Sequence, residues 1–164
     1  MLKQEFSQAI IDSVHEIFLA FLMLEVTPGP VIAKPDFQPY IPPDSEATAL
    51  VGFGGSVKGG VHLSCPMYVA AALAGSFAGE RYEDLTNPEA ADGFGELCNM
   101  VAGGLQTRLG EKYGEIALTP PTVITGTSYA MQYSTKLSSI KQYFKVEHGP
   151  FFVEGFFENI RLEE

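Results

Sequence analysis

Cysteine and histidine are scarce in this sequence. Cys65 and Cys98 stand 33 positions apart, with no CxxC and no histidine at metal-ligand spacing beside them, which argues against a structural zinc site. They read as ordinary buried thiols, since free cysteine is among the most buried residue types. His15, His62 and His148 are scattered singly, and no local signature pairs one with a nucleophile. Positive charge is scarce too: ten Lys+Arg stand against twenty Asp+Glu, for a formal net charge of −10. No basic cluster overrides that sign, so the chain repels a phosphate backbone and nucleic acid is not an expected partner. Long apolar runs are missing. The longest, Ile17 to Leu24, is eight residues, against the ~20 a membrane-spanning helix needs. The start, MLKQEFSQAI, lacks the basic–apolar–small order of a signal peptide. With 46% hydrophobic residues in 164, the expectation is one acidic cytoplasmic domain spanning 1–164, with a real core and no membrane segment.

Periodicity supplies the elements. Phe6, Ile10, Val14, Ile17, Phe18 and Phe21 recur at helical spacing from about Lys3 to Leu24. Val26-Thr27-Pro28-Gly29-Pro30 ends that helix. Residues 31–45, with four prolines, read as an extended connection. Strands are expected at 47–53 and 57–64, joined by Gly54-Gly55-Ser56 as a hairpin. An Ala-rich helix follows from Met67 to Phe77. Thr86-Asn87-Pro88-Glu89 opens another, with Thr86 as cap, Pro88 in the first turn and Glu89 completing a capping box. It is expected to run to about Gly110 or Lys112. The remainder turns to strand: 115–125, 129–133, 140–146 and 151–157, the last pair joined at His148-Gly149-Pro150. The order predicts an α+β fold, an antiparallel β-sheet with long helices packed on it. Each half reads as helix, proline-containing link, then hairpin, a weak internal symmetry without a short repeat.

The helix from Pro88 carries the unusual pattern. At about 100° per residue, Asp92, Glu96, Asn99 and Gly103 fall in one stripe, with Phe94, Leu97, Val101, Leu105 and Leu109 opposite. The apolar side is expected against the sheet and the stripe outward. A solvated face would account for the acids. Asn and Gly fit that account less well, because both are poor helix formers and Gly costs about 1 kcal/mol relative to Ala. This helix also holds Gly93, Gly95 and Gly104.

Asp92-x3-Glu96-x2-Asn99, followed 22 positions later by Pro121, resembles the signature of the CheC/CheX/FliY chemotaxis phosphatases. Leu24-Glu25-Val26-Thr27-Pro28-Gly29, the Val51-to-Val61 hairpin and Pro150-Phe151 resemble the CheX branch in the same order. The first helix offers Asp12-x3-Glu16-x2-Leu19, with leucine in place of the amide. An apolar Leu19 cannot orient water, so that copy reads as degenerate or structural, in keeping with the single site that the CheX branch implies.

The resemblance implies a CheC-like fold and hydrolysis of the aspartyl phosphate on a phosphorylated, CheY-like response regulator. Asn99 is then expected to orient the attacking water, since a carboxamide donates and accepts hydrogen bonds at once. Glu96 is expected to dock on the regulator's lysine through a charge-assisted contact. Asp92, Gly103 and Pro121 are supporting positions. Gly103 and Gly104 suit either close approach of the partner or helix–sheet packing, and Pro121 is expected to shape the strand beside the helix. No metal of the chain's own is implied; Mg²⁺ is expected to come with the regulator. The branch further implies a homodimer through sheet edges. Phe151, Phe152, Phe156 and Phe157 suit such an edge, and equally a core under the helices. Two alternatives stand beside this reading: a non-catalytic module of the same fold that binds a response regulator or flagellar switch component, and a ligand-binding α+β domain sharing only the architecture.

Overall fold

A computed structural model describes residues 2–39, 45–127, 129 and 135–164. In chain order these form α1 (Lys3–Ile17), a π-helical turn (Phe18–Leu22), β1 (Thr27–Gln38), β2 (Ala47–Gly55), β3 (Gly59–Cys65), α2 (Met67–Ala78), α3 (Pro88–Tyr113), β4 (Ile116–Leu118), β5 (Thr122–Thr125), β6 (Leu137–Val146) and β7 (Gly149–Phe157). The strands make one antiparallel sheet in the order β1-β6-β7-β3-β2-β4, with β5 also on β2. The α+β expectation therefore holds. Among the described residues no helix is long and apolar enough to cross a membrane.

The sheet has a hidden palindrome. Exchanging β1, β2 and β3 for β4/β5, β6 and β7 reverses the strand order and leaves it otherwise unchanged. A helix precedes each trio, α1 the first and α3 the second. The internal symmetry of the sequence is thus realised as strands interleaved between halves.

Alternation along the strands decides what lies beneath the helices. On β7, Phe151 and Phe157 are buried on the helix side: Phe157 meets Phe6 at 4.5 Å between ring centroids and Phe151 stacks on Phe18 at 4.9 Å. Phe156 packs on His62 at 4.7 Å and Phe152 on Tyr143 at 5.5 Å, on the other face. All four phenylalanines are buried, and β7 lies inside the sheet between β6 and β3. The idea of β7 as an apolar edge gives way to a strand covered on both faces.

Two elements also differ from expectation. The extended connection at 31–45 is in part the edge strand β1, which pairs with β6 from Thr27 to Gln38 with two register shifts; an edge tolerates the missing N–H of Pro28, Pro30 and Pro35. The single strand at 115–125 is split, since Pro120 and Pro121 cannot donate to the ladder. Across the break, the N–H of Thr119 bonds the carbonyl of Gly52 at 3.0 Å and the N–H of Gly52 bonds Thr119 Oγ1 at 2.8 Å. The strand expected at 129–133 lies, Tyr129 apart, outside the described residues.

Candidate functional site

The helix bearing the acid–acid–amide stripe starts one residue later than the capping-box reading places it. Asn87 is the cap, its Oδ1 accepting from the N–H of Glu89 at 2.9 Å, while Thr86 is held by Asp84. Pro88 then occupies the first turn, where a missing N–H is harmless. Phe94, Leu97, Val101, Leu105 and Leu109 are all fully buried, so the apolar side does face the core. Cys98, next to Asn99, adds an anchor: its thiol donates to the carbonyl of Ala49 on β2 at 3.4 Å. Burial pushes that thiol up to about 12 and raises Cys65 as well, so both are inert packing groups.

The stripe itself points outward. Asp92 and Glu96 are exposed, Asn99 and Gly103 half-buried. Glu96 and Asn99 are three residues apart on one helix, which sets their β-carbons about 5–6 Å from each other. None of Asp92, Glu96 and Asn99 has a side-chain hydrogen bond or ion pair with another described residue. Their polar atoms are uncommitted among the described residues. Among the described residues, no three His, Cys, Asp or Glu side chains gather in a metal-binding group.

Pro121 comes to this helix through Gly95, one of the helix glycines to which the sequence assigned no role. A β-carbon at Gly95 would lie 3.2 Å from Val123 Cγ2 and 3.4 Å from Pro121 Cβ, so the glycine lets Pro121 and Val123 seat closely, and a methyl group there would have to displace Val123 by a few tenths of an ångström. Asp92, Gly95, Glu96, Pro121 and Val123 share an open cleft of about 300 Å³. Asn99 and Gly103 do not line it. Gly103 instead borders a second depression, on the α1 side, with Met100 and Phe21. Asn99 therefore sits on the ridge between the two. The expectation that helix–sheet packing explains Gly103 and Gly104 fails for both. A β-carbon at Gly104 would meet Ser13 Oγ of α1 at 2.9 Å, and one at Gly103 would meet nothing within 4 Å.

The first-helix copy is committed elsewhere. Glu16 Oε2 accepts from Arg108 Nη2 of α3 at 2.7 Å, and Asp12 accepts from Gln8 at 2.8 Å. Leu19 falls in the π-helical turn, half-exposed. Arg108 also donates to Ser13 Oγ at 3.2 Å, tying α1 to α3. A depression of about 790 Å³ runs between the N-terminal part of α1 and the C-terminal part of α3 and includes none of the stripe.

Comparison with known proteins bears on this arrangement. The family model described as "Chemotaxis phosphatase CheX" matches residues 47–145. The "CheY-P phosphatase CheX" of Thermotoga maritima is 28% identical over 118 residues, 72% of this chain and 74% of that protein. A chemotaxis protein CheX from Desulfovibrio desulfuricans superposes with a TM-score of 0.78 at 23% identity, covering 94% of this chain and 99% of its own. A CheX from Borrelia burgdorferi, solved as a complex of CheX, CheY, BeF3 and Mg²⁺, superposes with a TM-score of 0.73 at 22% identity over 92% of this chain and 95% of its own.

Proposed function

The chain belongs to the CheX family of chemotaxis phosphatases, and from that premise we propose that it hydrolyses the aspartyl phosphate of a CheY-like response regulator at the Glu96–Asn99 stretch of α3. The observation that carries this reading is Asn99 itself. It occupies the middle of a long helix, where asparagine is a poor helix former. Its carboxamide bonds no described residue. A half-buried amide with no partner among the described residues is available to a ligand.

In this mechanism Asn99 holds one water in line with the scissile P–O bond, donating through its NH₂ and accepting through its carbonyl. The water oxygen bonds phosphorus as the bond to the aspartyl oxygen breaks; inorganic phosphate leaves, the regulator regains its carboxylate, and the water's proton passes to solvent. Such transfers depend on positioning and charge stabilisation more than on covalent help. Glu96, one turn before Asn99, receives the regulator's lysine and fixes the register of docking. Mg²⁺ brought by the regulator would supply charge neutralisation at the phosphoryl group; this chain contributes no ligand to it. Asp92 and Pro121 shape the acidic cleft beside Glu96, and Gly103 keeps the ridge low where the partner approaches. The cytoplasmic setting follows from that substrate.

A homodimer through sheet edges is part of the proposal. β1 is the long edge, with Ile32 half-exposed. Its prolines confine backbone pairing to the stretch from Val31 to Lys34. Light scattering at twice 17.8 kDa is the expected result.

Phosphate release from an acetyl-phosphate-loaded cognate regulator tests the hydrolytic reading. Asn99→Ala is expected to abolish the acceleration, and full activity in that variant would sink the mechanism. Binding of the regulator by the intact protein without any acceleration would make it a binding module instead.

A further inference from the structure

Three of the six exposed large apolar side chains among the described residues fall within five positions: Leu19 and Phe21 at 50% and Met23 at 87%. The cause is local. From Phe18 to Leu22 the backbone leaves the α-helix for a π-helical turn, closed by Met23 N–H on the carbonyl of Phe18. The wider turn swings Phe21 off the buried face on which a regular helix would carry it. Met23 then adopts the left-handed conformation, φ 55°, ψ 34°, which is unfavourable for a residue with a β-carbon by about 1–2 kcal/mol. Exposed apolar area, a π-helical turn and a left-handed methionine are each unfavourable or rare alone. Here they coincide.

Their position gives the coincidence a use. Phe21 and Ile17 face Met100 and Gly103 across an open groove of about 680 Å³. Gly103 lies one turn beyond Asn99 in the same outward stripe, and space above it is empty to 4 Å. Along the helix, Asn99 thus lies three residues from Glu96 of the acidic cleft and four from Gly103 of the apolar groove. A partner large enough to cover Asn99 reaches both.

We propose that Phe21, with Ile17 and Met100, forms an apolar wall that docks the same response regulator, as the counterpart of the acidic wall on the far side of Asn99. This rests on the hydrolytic reading. The regulator surface it fits carries a cation on the Glu96 side, an apolar patch on the Phe21 side and the phosphoaspartate between them. Fixing the partner at two chemically different walls sets its rotation about the scissile bond, which one ion pair alone leaves free. Phe21 is a positioning residue in this scheme and touches no reacting atom.

Titration with the cognate regulator in its beryllofluoride-activated form, with Mg²⁺, measures docking, and phosphate release measures turnover. Phe21→Ser and, independently, Met100→Ser are expected to raise Kd and KM by about tenfold, a typical loss for an interface anchor, with kcat falling less than about threefold. Tyr68→Ser, at an exposed aromatic on α2 outside the groove, is the control and leaves both constants unchanged. Asn99→Ala shows the opposite split, losing kcat while keeping Kd. Unchanged Kd and KM in both wall variants would overturn the proposal and leave the hydrolytic reading standing. Loss of a dimer without loss of regulator binding would also overturn it, assigning the wall to a second copy. An intact protein that binds the regulator but releases no phosphate would end the hydrolytic reading, and weakened binding in Phe21→Ser would then still support the wall.

Discussion

Arg108 of α3 holds Glu16 of α1 at 2.7 Å, Nη2 to Oε2. The acid of the first-helix copy is thereby spent on joining two helices, whereas its counterpart Glu96 is uncommitted. The pair is partly solvated, with side-chain exposures of 32% and 64%, so its worth is at most about 1 kcal/mol. Glu16→Gln is expected to lower stability by no more than that in urea unfolding and to leave phosphate release unchanged. A loss of turnover as large as that of Glu96→Gln would show that the first helix retains a catalytic part.

Neighbouring glycines in α3 are expected to respond with opposite sign. Gly104→Ala must push Ser13 and α1 away, since its β-carbon would lie 2.9 Å from Ser13 Oγ and 3.0 Å from Ser13 Cβ; a loss of about 1–3 kcal/mol is typical of such overpacking. Gly103→Ala has free space and gains helix propensity, up to about 1 kcal/mol. Urea midpoints of the two variants check the signs. Gly103→Ala is also expected to slow turnover despite its added stability, because the methyl group stands where the regulator must approach.

Docking through Glu96 predicts a dependence on salt. An exposed ion pair across the interface is screened as the Debye length falls from about 10 Å at 0.1 M to about 3 Å at 1 M. KM of the intact protein is expected to rise over that range, and KM of Glu96→Gln to start higher and rise less. Parallel salt slopes in the two proteins would remove the ion pair from the mechanism. Asp92→Asn, measured alongside, separates a specific role for Asp92 from a share in the general acidity of the cleft.

The buried thiols predict behaviour at alkaline pH. Burial raises the folded Cys98 from the ordinary 9.0 to about 12, so above pH 9 the unfolded chain releases a proton that the folded chain retains. Stability is full below pH 9 and falls above it, by up to about 1.4 kcal/mol per pH unit for each such group. The Cys98 share of that fall is complete by about pH 12. Cys98→Ala, although less stable at pH 7 for want of packing, is expected to lose stability less steeply between pH 9 and 10.5 in urea titrations. Neither thiol should react with a thiol reagent in the folded protein at pH 7.

The outward stripe was legible in the sequence, because a helix writes its outward face every three or four residues, and Asp92, Glu96 and Asn99 do lie on it. The period alone fits a solvated face; the family resemblance is what marks these residues and Pro121 as a site. Gly95 was not legible: its reason is a contact with β5, 26 positions away, and a glycine in a helix announces no partner. Phe21 followed the apolar period of α1 and leaves it only because the backbone slips into a π-helical turn, with no glycine or proline between Ile17 and Leu24 to mark the place. The position of β7 had a signal that was read both ways. A run such as Phe151-Phe152-Val153, apolar on both faces, is what a strand covered on both sides looks like, and the sheet puts it there.

The interleaved sheet bears on how the chain reaches this state. β6 and β7 from the second half lie between β1 and β3 from the first, and β1 meets β6 across more than a hundred residues of chain. Neither half owns a contiguous sheet, so neither has a core to close by itself. Folding is therefore expected to be slow for this size and all-or-none, since loop closure over long distances precedes the pairing that rewards it. A fragment ending after α2 would leave β1 without the strand it pairs with, and the first half becomes a chaperone's client until the second half is made.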